Sequence, residues 1–328
     1  MPINLDELKK RLKGMIPVQY CPYTKGGELD LEGLKENTEF LIDFATAGNK
    51  DVVIMTNGST TECFANSIEE QKKVIKTVVD TVAGRLPVVA GVSQPGTKLT
   101  IELAKYAEEV GVDCAMVVPP YYHHASKEGM YRHYREIADS IGIGVMVYNN
   151  ADASATLIPL DLMARLAKID NMVACKDNAT SFADLAFKAL TINPEDMVLI
   201  AGQGEVQYIG AAAYGFKYQG FVSFIGNFAP SLSYEVYTAV KRGNFKKAYE
   251  ILRKQLPLWS LISKVERKRE SISVIPACLR GSYAYMGVGK AAMDLVGLNG
   301  GPLRLPMEDL TAAERQGLKE VLKEIGVL

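Results

Sequence analysis

The sequence predicts a closed (β/α)8 barrel, the TIM-barrel architecture, with a helical appendage at its C-terminal end. Apolar runs of strand length occur eight times, at spacings of 22 to 37 residues, and segments of helical period separate them. The runs are continuously apolar and do not alternate, which is typical of strands covered on both faces in a parallel sheet. Eight strand-helix units of this kind favour a closed barrel wrapped by helices.

The predicted strands are Met15–Tyr20, Val52–Met55, Pro87–Gly91, Cys114–Val118, Gly144–Tyr148, Met172–Lys176, Val198–Ala201 and Gly220–Phe224. A doubly wound open sheet is the structural alternative. It would usually show fewer units, and no G-x-G-x-x-G follows the first strand.

The clearest predicted helix covers residues 67 to 83. Ser67 and Glu70 have the spacing of a capping box, and apolar side chains recur on one face until Gly84 ends the helix. The next helical stripe runs from Ile101 to Val110 and is closed by Gly111. These two segments predict the helical layer outside the strands.

After Pro230 the strand signal disappears. Helical patterns predict Leu232–Arg242, Phe245–Ser263, Ser271–Met286 and Leu310–Ile325, with a loop over Gly297–Pro302. We therefore assign residues 1–242 to the barrel that carries the active site and residues 243–328 to a C-terminal helical domain. The basic run Lys264 to Arg269 fits a solvated helical face better than a phosphate site, because it includes Glu266.

Composition limits the classes of partner. The 328 residues include 37 basic and 38 acidic side chains, a formal charge of -1, which does not indicate binding to nucleic acid or to an anionic membrane. No run approaches the roughly twenty apolar residues that cross a bilayer, and no signal sequence is recognisable. We expect a soluble, cytoplasmic protein.

The five cysteines are widely spaced and contain no C-x-x-C pair, so they predict neither a zinc site nor a disulfide framework. Three of them, Cys21, Cys114 and Cys175, lie in or just after apolar runs and are expected in the core. With only three histidines in the chain, no metal site is expected.

Lys176 closes the sixth predicted strand, and Tyr148 closes the fifth, 28 residues earlier. Burial at a strand end disfavours the charged ammonium, and a neutral amine is a nucleophile. An amine and a phenol on neighbouring strand ends indicate Schiff-base chemistry on a carbonyl compound. The alternative is a lysine whose stem is buried while its charged end reaches water.

Other strand ends supply further candidates, because functional residues in such barrels lie at the carboxyl ends of the strands. Gly58-Ser59-Thr60 follows the second strand and could offer N–H groups and hydroxyls to a carboxylate, although the same residues are common in turns. Pro119-Pro120-Tyr121-Tyr122 follows the fourth strand, and these phenols could equally serve interface packing.

The order of these motifs resembles the dihydrodipicolinate synthase / N-acetylneuraminate lyase family of class I, pyruvate-dependent aldolases. The resemblance covers about residues 10 to 240. It is carried, in order, by Ser59-Thr60, Pro120-Tyr121-Tyr122 with Glu128-Gly129, Tyr148-Asn149, Lys176 and Gly202, and is supported by Arg85–Gly91, Gly111–Asp113 and Asn227–Pro230.

The resemblance implies a role for each matching residue. Lys176 would form an imine with the keto group of a 2-oxo acid, and Tyr148 would shuttle the proton at the reacting oxygen. Ser59 would hydrogen-bond Tyr148 and the substrate carboxylate, while Thr60 would offer its backbone N–H to that carboxylate. Tyr122 would insert into the site of a neighbouring subunit. Val222 would contact the pyruvate moiety.

Two departures from the family pattern bear on the substrate. The synthase usually carries an arginine after its Tyr-Asn pair, which grips the carboxylate of the second substrate. Here that stretch contains no arginine, and its Asp152 would repel a carboxylate. The second departure is Thr61, which stands where the family has glycine and could change backbone freedom.

In the family members that act on sugar acids, residues after the lysine and after the seventh strand contact hydroxyl groups of the substrate. Asn178, Gly202 and Glu205 hold those places here. A carboxylate such as that of Glu205 accepts two hydroxyl hydrogen bonds well, but it could equally be a favourable charge at a helix N-terminus. His123-His124 are expected to be polar residues at the entrance.

The sequence thus predicts a Schiff-base lyase or dehydratase acting on pyruvate or a 2-oxo acid, such as a 2-keto-3-deoxy sugar acid, with no cofactor beyond the imine on Lys176. The alternatives are dihydrodipicolinate synthase activity, condensing pyruvate with aspartate semialdehyde, a non-catalytic 2-oxo acid sensor, and a metal-dependent aldolase with too few ligands. The resemblance also implies a homotetramer built as a dimer of dimers.

Overall fold

Eight parallel strands form a nearly closed barrel in the structure, a computed structural model that describes residues 4–270, 272–276 and 279–328. Strands β1 to β8 are, in order, Gly14–Pro17, Ile54–Thr56, Val88–Gly91, Cys114–Val117, Gly144–Asn149, Met172–Asp177, Val198–Ala201 and Tyr218–Ser223. Each is hydrogen-bonded to the next from β2 to β8, and β8 pairs with β1. Parallel bridges from Met15 to Val52 and from Val18 to Met55 join β1 to the β2 segment, so the open-sheet alternative is wrong.

One helix precedes the first strand, and the others lie between the strands and after the last of them. Helices α1 to α13 are Leu5–Arg11, Leu31–Thr46, Ile68–Val82, Thr97–Val110, Lys127–Ser140, Ala151–Ser154, Leu160–Leu166, Phe182–Thr191, Gly204–Ala213, Pro230–Lys241, Phe245–Lys268, Ala284–Leu295 and Ala312–Glu324. Within the described ranges, none is both long enough and apolar enough to cross a membrane.

Three helix termini form as predicted or within one residue of the prediction. Ser67 and Glu70 make both hydrogen bonds of a capping box at the start of α3. This helix ends at Ala83, which takes the left-handed conformation one residue before Gly84. Helix α4 ends as predicted at Gly111.

The barrel interior is filled with apolar side chains that point inward from the strands, including those of Ile16, Val89, Met146 and Ile200. Leu8 of α1 belongs to this cluster and packs against Gly144 at the start of β5. Helix α1 therefore covers the amino-terminal ends of the strands. A site in the barrel can open only at the carboxyl ends.

The predicted helix Ser271–Met286 is wrong. Among the described residues of this segment, 272–276 and 279–283 are not helical, and α12 begins at Ala284 and continues to Leu295. Pro276 cannot donate the backbone hydrogen bond of a helix interior, and the β-branched Ile272 and Val274 are both 98% exposed, so no apolar face is buried there. Ser271 lies outside the described residues.

The basic run Lys264 to Arg269 lies at the end of α11 and has the expected solvated face. Lys264, Arg267 and Lys268 are exposed, while Val265 is buried between them. Arg269 pairs with Glu308 at 2.7 Å. The division of the chain at residue 242 stays a prediction.

Helix α12 packs closely against the segment that follows β1, and this contact requires a glycine. A Cβ atom at Gly289 would lie 1.9 Å from the hydroxyl of Tyr20, which is itself buried. At Gly287, one half-turn earlier in α12, a Cβ atom would meet Leu303 at an ordinary 3.4 Å. The two glycines of this helix thus differ in the space beside them.

We predict that Gly289→Ala destabilises the protein by about 1–3 kcal/mol, because the added methyl group overpacks the core beside Tyr20. Gly287→Ala is the matched control, and we expect it to be neutral or to stabilise by up to about 1 kcal/mol through its helix propensity. Urea unfolding of both variants measures the difference. Equal effects of the two substitutions would contradict this packing account.

Candidate active site

Lys176 lies at the carboxyl end of β6 and points into the barrel mouth. It is 4% exposed, and its partner in the β5–β6 register is Tyr148. The Nζ atom lies 3.9 Å from the centroid of the Tyr148 ring and 3.9 Å from the Sδ atom of Met55. The predicted neighbourhood of the amine and the phenol is therefore confirmed.

Burial sets the charge state of this amine. It lowers the pKa of Lys176 to about 7, because the ammonium is removed from water and no carboxylate of the described residues forms an ion pair with it. The folded protein thus binds fewer protons than the unfolded chain between about pH 7 and 10.5, so this group makes folding stability rise with pH in that window. The side chain does not reach water as the alternative interpretation required.

The next residue, Asp177, carries a charge that is directed away from the amine. Successive side chains of a strand point to opposite faces, so Asp177 faces the helical layer. Its carboxylate accepts hydrogen bonds from Lys188 at 2.7 Å, Tyr218 at 2.9 Å and Asn149 at 3.0 Å. These three partners balance the charge of the buried Asp177 carboxylate, so Asp177 does not stabilise the ammonium form of Lys176.

The described part of the chain contains three fully buried lysines, and Lys176 differs from the other two. Lys188 pairs with Asp177 and Asp184. Lys290 pairs with Glu62 at 2.7 Å and also donates to the carbonyl of Cys21. Only Lys176 combines burial, the absence of an anionic partner and a place in a cavity wall.

Tyr148 is a buried phenol whose pKa is raised, first by desolvation and then by the nearby Tyr285. Its hydroxyl accepts a hydrogen bond from the side-chain amide of Asn150 at 2.8 Å. The phenol is therefore neutral at physiological pH and able to donate a proton. This is the form that proton transfer to a developing alkoxide requires.

Ser59 and Thr60 occupy the loop after β2, and both line the cavity that contains Lys176. The hydroxyl of Thr60 lies 3.0 Å from that of Tyr285. Thr61 is not in a left-handed conformation, so the expected cost of replacing glycine does not arise there. Its hydroxyl instead donates to the carbonyl of Gln19 at 2.7 Å and accepts from the N–H of Gly58.

A buried ion pair holds the far end of this loop. Glu62 has a left-handed backbone with φ of 57° and a fully buried carboxylate. Besides Lys290, it accepts the backbone N–H of Arg304 at 2.8 Å. The loop between β2 and α3 is thus fixed by Lys290 of α12 and by Arg304 of the loop that follows α12.

With the exception of Tyr122, the remaining predicted residues line the same cavity, whose volume is about 310 Å³. Val222 on β8, Asn178 after β6 and Gly202 after β7 all line it. A Cβ atom at Gly202 would lie 2.0 Å from the Oδ1 atom of Asn178, so glycine is needed for this side chain to adopt its position. That oxygen has no hydrogen-bond partner among the described residues.

Glu205 lines the cavity and also lies in the first turn of α9. It accepts hydrogen bonds from Ser223 at 2.8 Å and from Ser233 at 2.6 Å, and burial raises its pKa. Both of its predicted settings, the site wall and the helix N-terminus, therefore occur together.

Tyr122 is 77% exposed, and it lines neither this cavity nor the larger one that adjoins it. Its ring contacts that of His123, 5.1 Å away between centroids. The chain does not bring this phenol to its own Lys176, as expected for a residue assigned to a neighbouring subunit's site.

Four aromatic residues of the cavity wall were missed from the sequence: Phe224, Trp259, Tyr283 and Tyr285. Tyr283 and Tyr285 fell within the wrongly predicted helix, and Trp259 lies on α11. The Gly-Ser-Tyr-Ala-Tyr run at 281–285 was the available signal, because a glycine followed by alternating aromatic residues is unusual inside a surface helix.

A second cavity of about 580 Å³ adjoins the first. The two share Ser59, Tyr148, Asp152 and Tyr283 as lining residues. Among the described residues that line the smaller cavity, the charged ones are Lys176, Asp152 and Glu205, and none is an arginine. No group of three or more described His, Cys, Asp or Glu side chains is arranged to hold a metal ion.

Comparison with known proteins agrees with this geometry. The sequence profile of the Dihydrodipicolinate synthetase family matches residues 11–325. A 4-hydroxy-tetrahydrodipicolinate synthase of Archaeoglobus fulgidus is 30% identical over 316 residues, which cover 96% of this chain and 99% of the relative. The enzyme of that name from Acetivibrio thermocellus is 33% identical over 308 residues, 94% of this chain and 95% of its own.

Among solved structures, dihydrodipicolinate synthase from Oceanobacillus iheyensis is similar, with a TM-score of 0.84 and 27% identity, covering 99% of this chain and all of that one. The enzyme from Aquifex aeolicus gives a TM-score of 0.82 at 27% identity, covering 96% and 99%. The chain therefore belongs to the dihydrodipicolinate synthetase family and is an enzyme, a lyase of the class I aldolase type.

Proposed function

We propose that this enzyme forms an imine between Lys176 and pyruvate or another 2-oxo acid, and that it cleaves or dehydrates a 2-oxo acid such as a 2-keto-3-deoxy sugar acid. The observation that carries the proposal is the buried amine, whose pKa of about 7 leaves much of it uncharged at neutral pH. An uncharged amine can attack a keto group, whereas an ammonium cannot.

The neutral amine attacks the keto carbon to give a carbinolamine, which loses water to form the imine. The electron pair released when a neighbouring carbon bond breaks then moves into the imine, giving an enamine. Tyr148 supplies the proton to the carbinolamine oxygen and accepts one from the reacting hydroxyl group. No further cofactor is needed, since the protonated imine itself is the electron sink.

The loop after β2 would bind the carboxylate of the 2-oxo acid. Ser59 and the backbone N–H of Thr60 are the proposed donors, and Val222 would contact the methyl end of pyruvate. The shared cavity wall supports this assignment. We further propose that Tyr122 of a second copy completes the site, within a cytoplasmic homotetramer, and the high exposure of Tyr122 supports its role outside its own chain.

The other half of the site would take a tail that donates hydrogen bonds. The Oδ1 atom of Asn178 is a buried acceptor that bonds none of the described residues, and the half-buried Asp152 carboxylate lies nearby in the same wall. Hydroxyl groups satisfy such acceptors, while a second carboxylate would meet Asp152 and no arginine among the described residues of the cavity wall. Glu205 is a weaker candidate, because one of its oxygens already bonds two serines.

The second candidate is the reaction of the relatives, the condensation of pyruvate with aspartate semialdehyde. Identities of 30% and 33% to proteins named 4-hydroxy-tetrahydrodipicolinate synthase favour it. The Asp152 carboxylate in the cavity wall argues against it, because the carboxylate of the semialdehyde would be repelled there and would meet no arginine among the described lining residues.

We predict that borohydride treatment with pyruvate gives a reduced adduct on Lys176, found by intact mass and peptide mapping. Lys188 and Lys290 are internal controls, because they are equally buried but engaged by carboxylates. The adduct is expected to disappear in Lys176→Ala. An adduct on another lysine, or none at all, would overturn the proposed chemistry.

The rate of this trapping has an expected pH dependence. The reactive form is the neutral amine, whose population falls as the pH drops through about 7. The rate should therefore rise about tenfold from pH 6 to pH 8, following the neutral fraction, and then level off. The rate for an amine of ordinary pKa would rise about tenfold with each pH unit throughout this range and keep rising to about pH 10.

We expect Tyr148→Phe to form the pyruvate adduct while losing most turnover, by roughly a hundredfold or more, because a general acid–base group is removed. Trapping and steady-state turnover measured on one preparation separate the two effects. Normal turnover in this variant would show that the proton moves by another route.

To distinguish the two substrates, pyruvate is supplied with either aspartate semialdehyde or a hydroxylated aldehyde such as glyceraldehyde. We expect turnover of the hydroxylated aldehyde to exceed that of the semialdehyde by roughly tenfold or more, because the carboxylate of the semialdehyde lacks a charged hydrogen-bond partner. Asp152→Asn should narrow this preference. Robust turnover of the semialdehyde by the unaltered enzyme would favour the synthase reaction.

A further inference from the structure

We propose that Tyr285, which α12 brings to the site, is a positioning residue for the 2-oxo acid: its phenol holds Thr60 so that the Thr60 backbone N–H stays directed at the substrate carboxylate. The inference rests on the proposed function, since it concerns the half of the site that would hold pyruvate. It assigns to the C-terminal helices a part in binding the substrate.

The central contact joins two hydroxyl groups. The Oη atom of Tyr285 lies 3.0 Å from Oγ1 of Thr60, and Thr60 is 6% exposed. The Thr60 hydroxyl makes no other hydrogen bond within the described chain. With the phenol as donor, the proton of Thr60 remains available to the carboxylate, so the contact can orient the threonine side chain as well as its backbone.

Backbone turn bonds from Thr61 to Gly58 and from Glu62 to Ser59 span Thr60, but among the described residues its side chain is held only by Tyr285. The side chain of Asn57 donates to the carbonyl of Gly91 at 2.7 Å, Thr61 bonds Gln19, and Glu62 bonds Lys290. These bonds hold both ends of the loop. Tyr285 supplies the side-chain hydrogen bond at its tip.

Tyr285 is itself held from two directions, so its position is defined. Its backbone carbonyl accepts the hydroxyl of Tyr20 at 3.2 Å. One carboxylate oxygen of Glu266 on α11 accepts both the Ser282 hydroxyl and the Ala284 N–H, each at 2.9 Å. The start of α12 is thus anchored to the segment that follows β1 and to α11, so the phenol reaches Thr60 from a rigid support.

This role predicts a defect in binding and not in chemistry. Without the phenol, the Thr60 tip samples more conformations and the carboxylate loses part of its ordered donor. The amine of Lys176 and the phenol of Tyr148 both remain in place. Imine formation at saturating pyruvate should therefore proceed as before, while more pyruvate should be needed to reach half of it.

The test is the pyruvate dependence of borohydride trapping at Lys176 in Tyr285→Phe, Thr60→Val and the double variant. We expect Tyr285→Phe to raise the half-saturating pyruvate concentration roughly three- to tenfold, the effect of one net hydrogen bond, with maximal trapping retained. Tyr106→Phe is the matched control: its half-buried phenol donates to the carbonyl of Lys72 in the outer helical layer, and no shift is expected.

The double variant separates this role from a general structural one. If Tyr285 acts through the Thr60 hydroxyl, adding Tyr285→Phe to Thr60→Val changes the half-saturating concentration no further. Independent, multiplicative effects would overturn the proposal, as would an unchanged value in Tyr285→Phe. Should Tyr285→Phe fail to fold, Thr60→Val tests the same contact from the other side and must raise the half-saturating concentration at least as much, because it also removes the Thr60 hydroxyl from the carboxylate. Absence of trapping in the unaltered enzyme would instead refute the proposed function.

Discussion

The chemistry of this protein depends on keeping one amine away from water and from any counterion. Desolvation alone would be ineffective if a carboxylate restored the ammonium, and the next residue in the chain is an aspartate. The strand resolves this conflict, because alternation turns Asp177 outward, where Lys188, Tyr218 and Asn149 satisfy it. The barrel thus separates two adjacent side chains into an outer layer of paired charges and an inner site that contains a neutral nucleophile.

Local sequence patterns were sufficient to predict the barrel and the pairing of Tyr148 with Lys176 in the site. A strand of a parallel barrel is a short apolar run, and the carboxyl ends of all the runs meet at the barrel mouth, so Tyr148 and Lys176 could be placed together from sequence. The capping box at Ser67 and Glu70 is likewise a feature of a few consecutive residues. Such features need no knowledge of the remaining fold.

The aromatic wall of the cavity could not be predicted in this way. Tyr285 meets Thr60 across 225 positions of the chain, and Gly289 is explained only by the ring of Tyr20 that lies against it. Helical period in the segment from 272 to 283 was misleading, because a periodic pattern indicates a helix only where one face is buried. The sequence does not reveal which surface will cover such a face.

The pair of Glu62 and Lys290 has a consequence for the order in which the enzyme matures. These two residues are 228 positions apart, and Lys290 lies in α12, beyond β8, so the last barrel strand leaves the ribosome before Lys290 does. Until then Glu62 lacks its countercharge, and burial of its carboxylate alone would be strongly unfavourable. The loop with Ser59 and Thr60 can therefore adopt its final shape only after α12 has been synthesised, and a barrel that lacks α12 is not yet a competent enzyme.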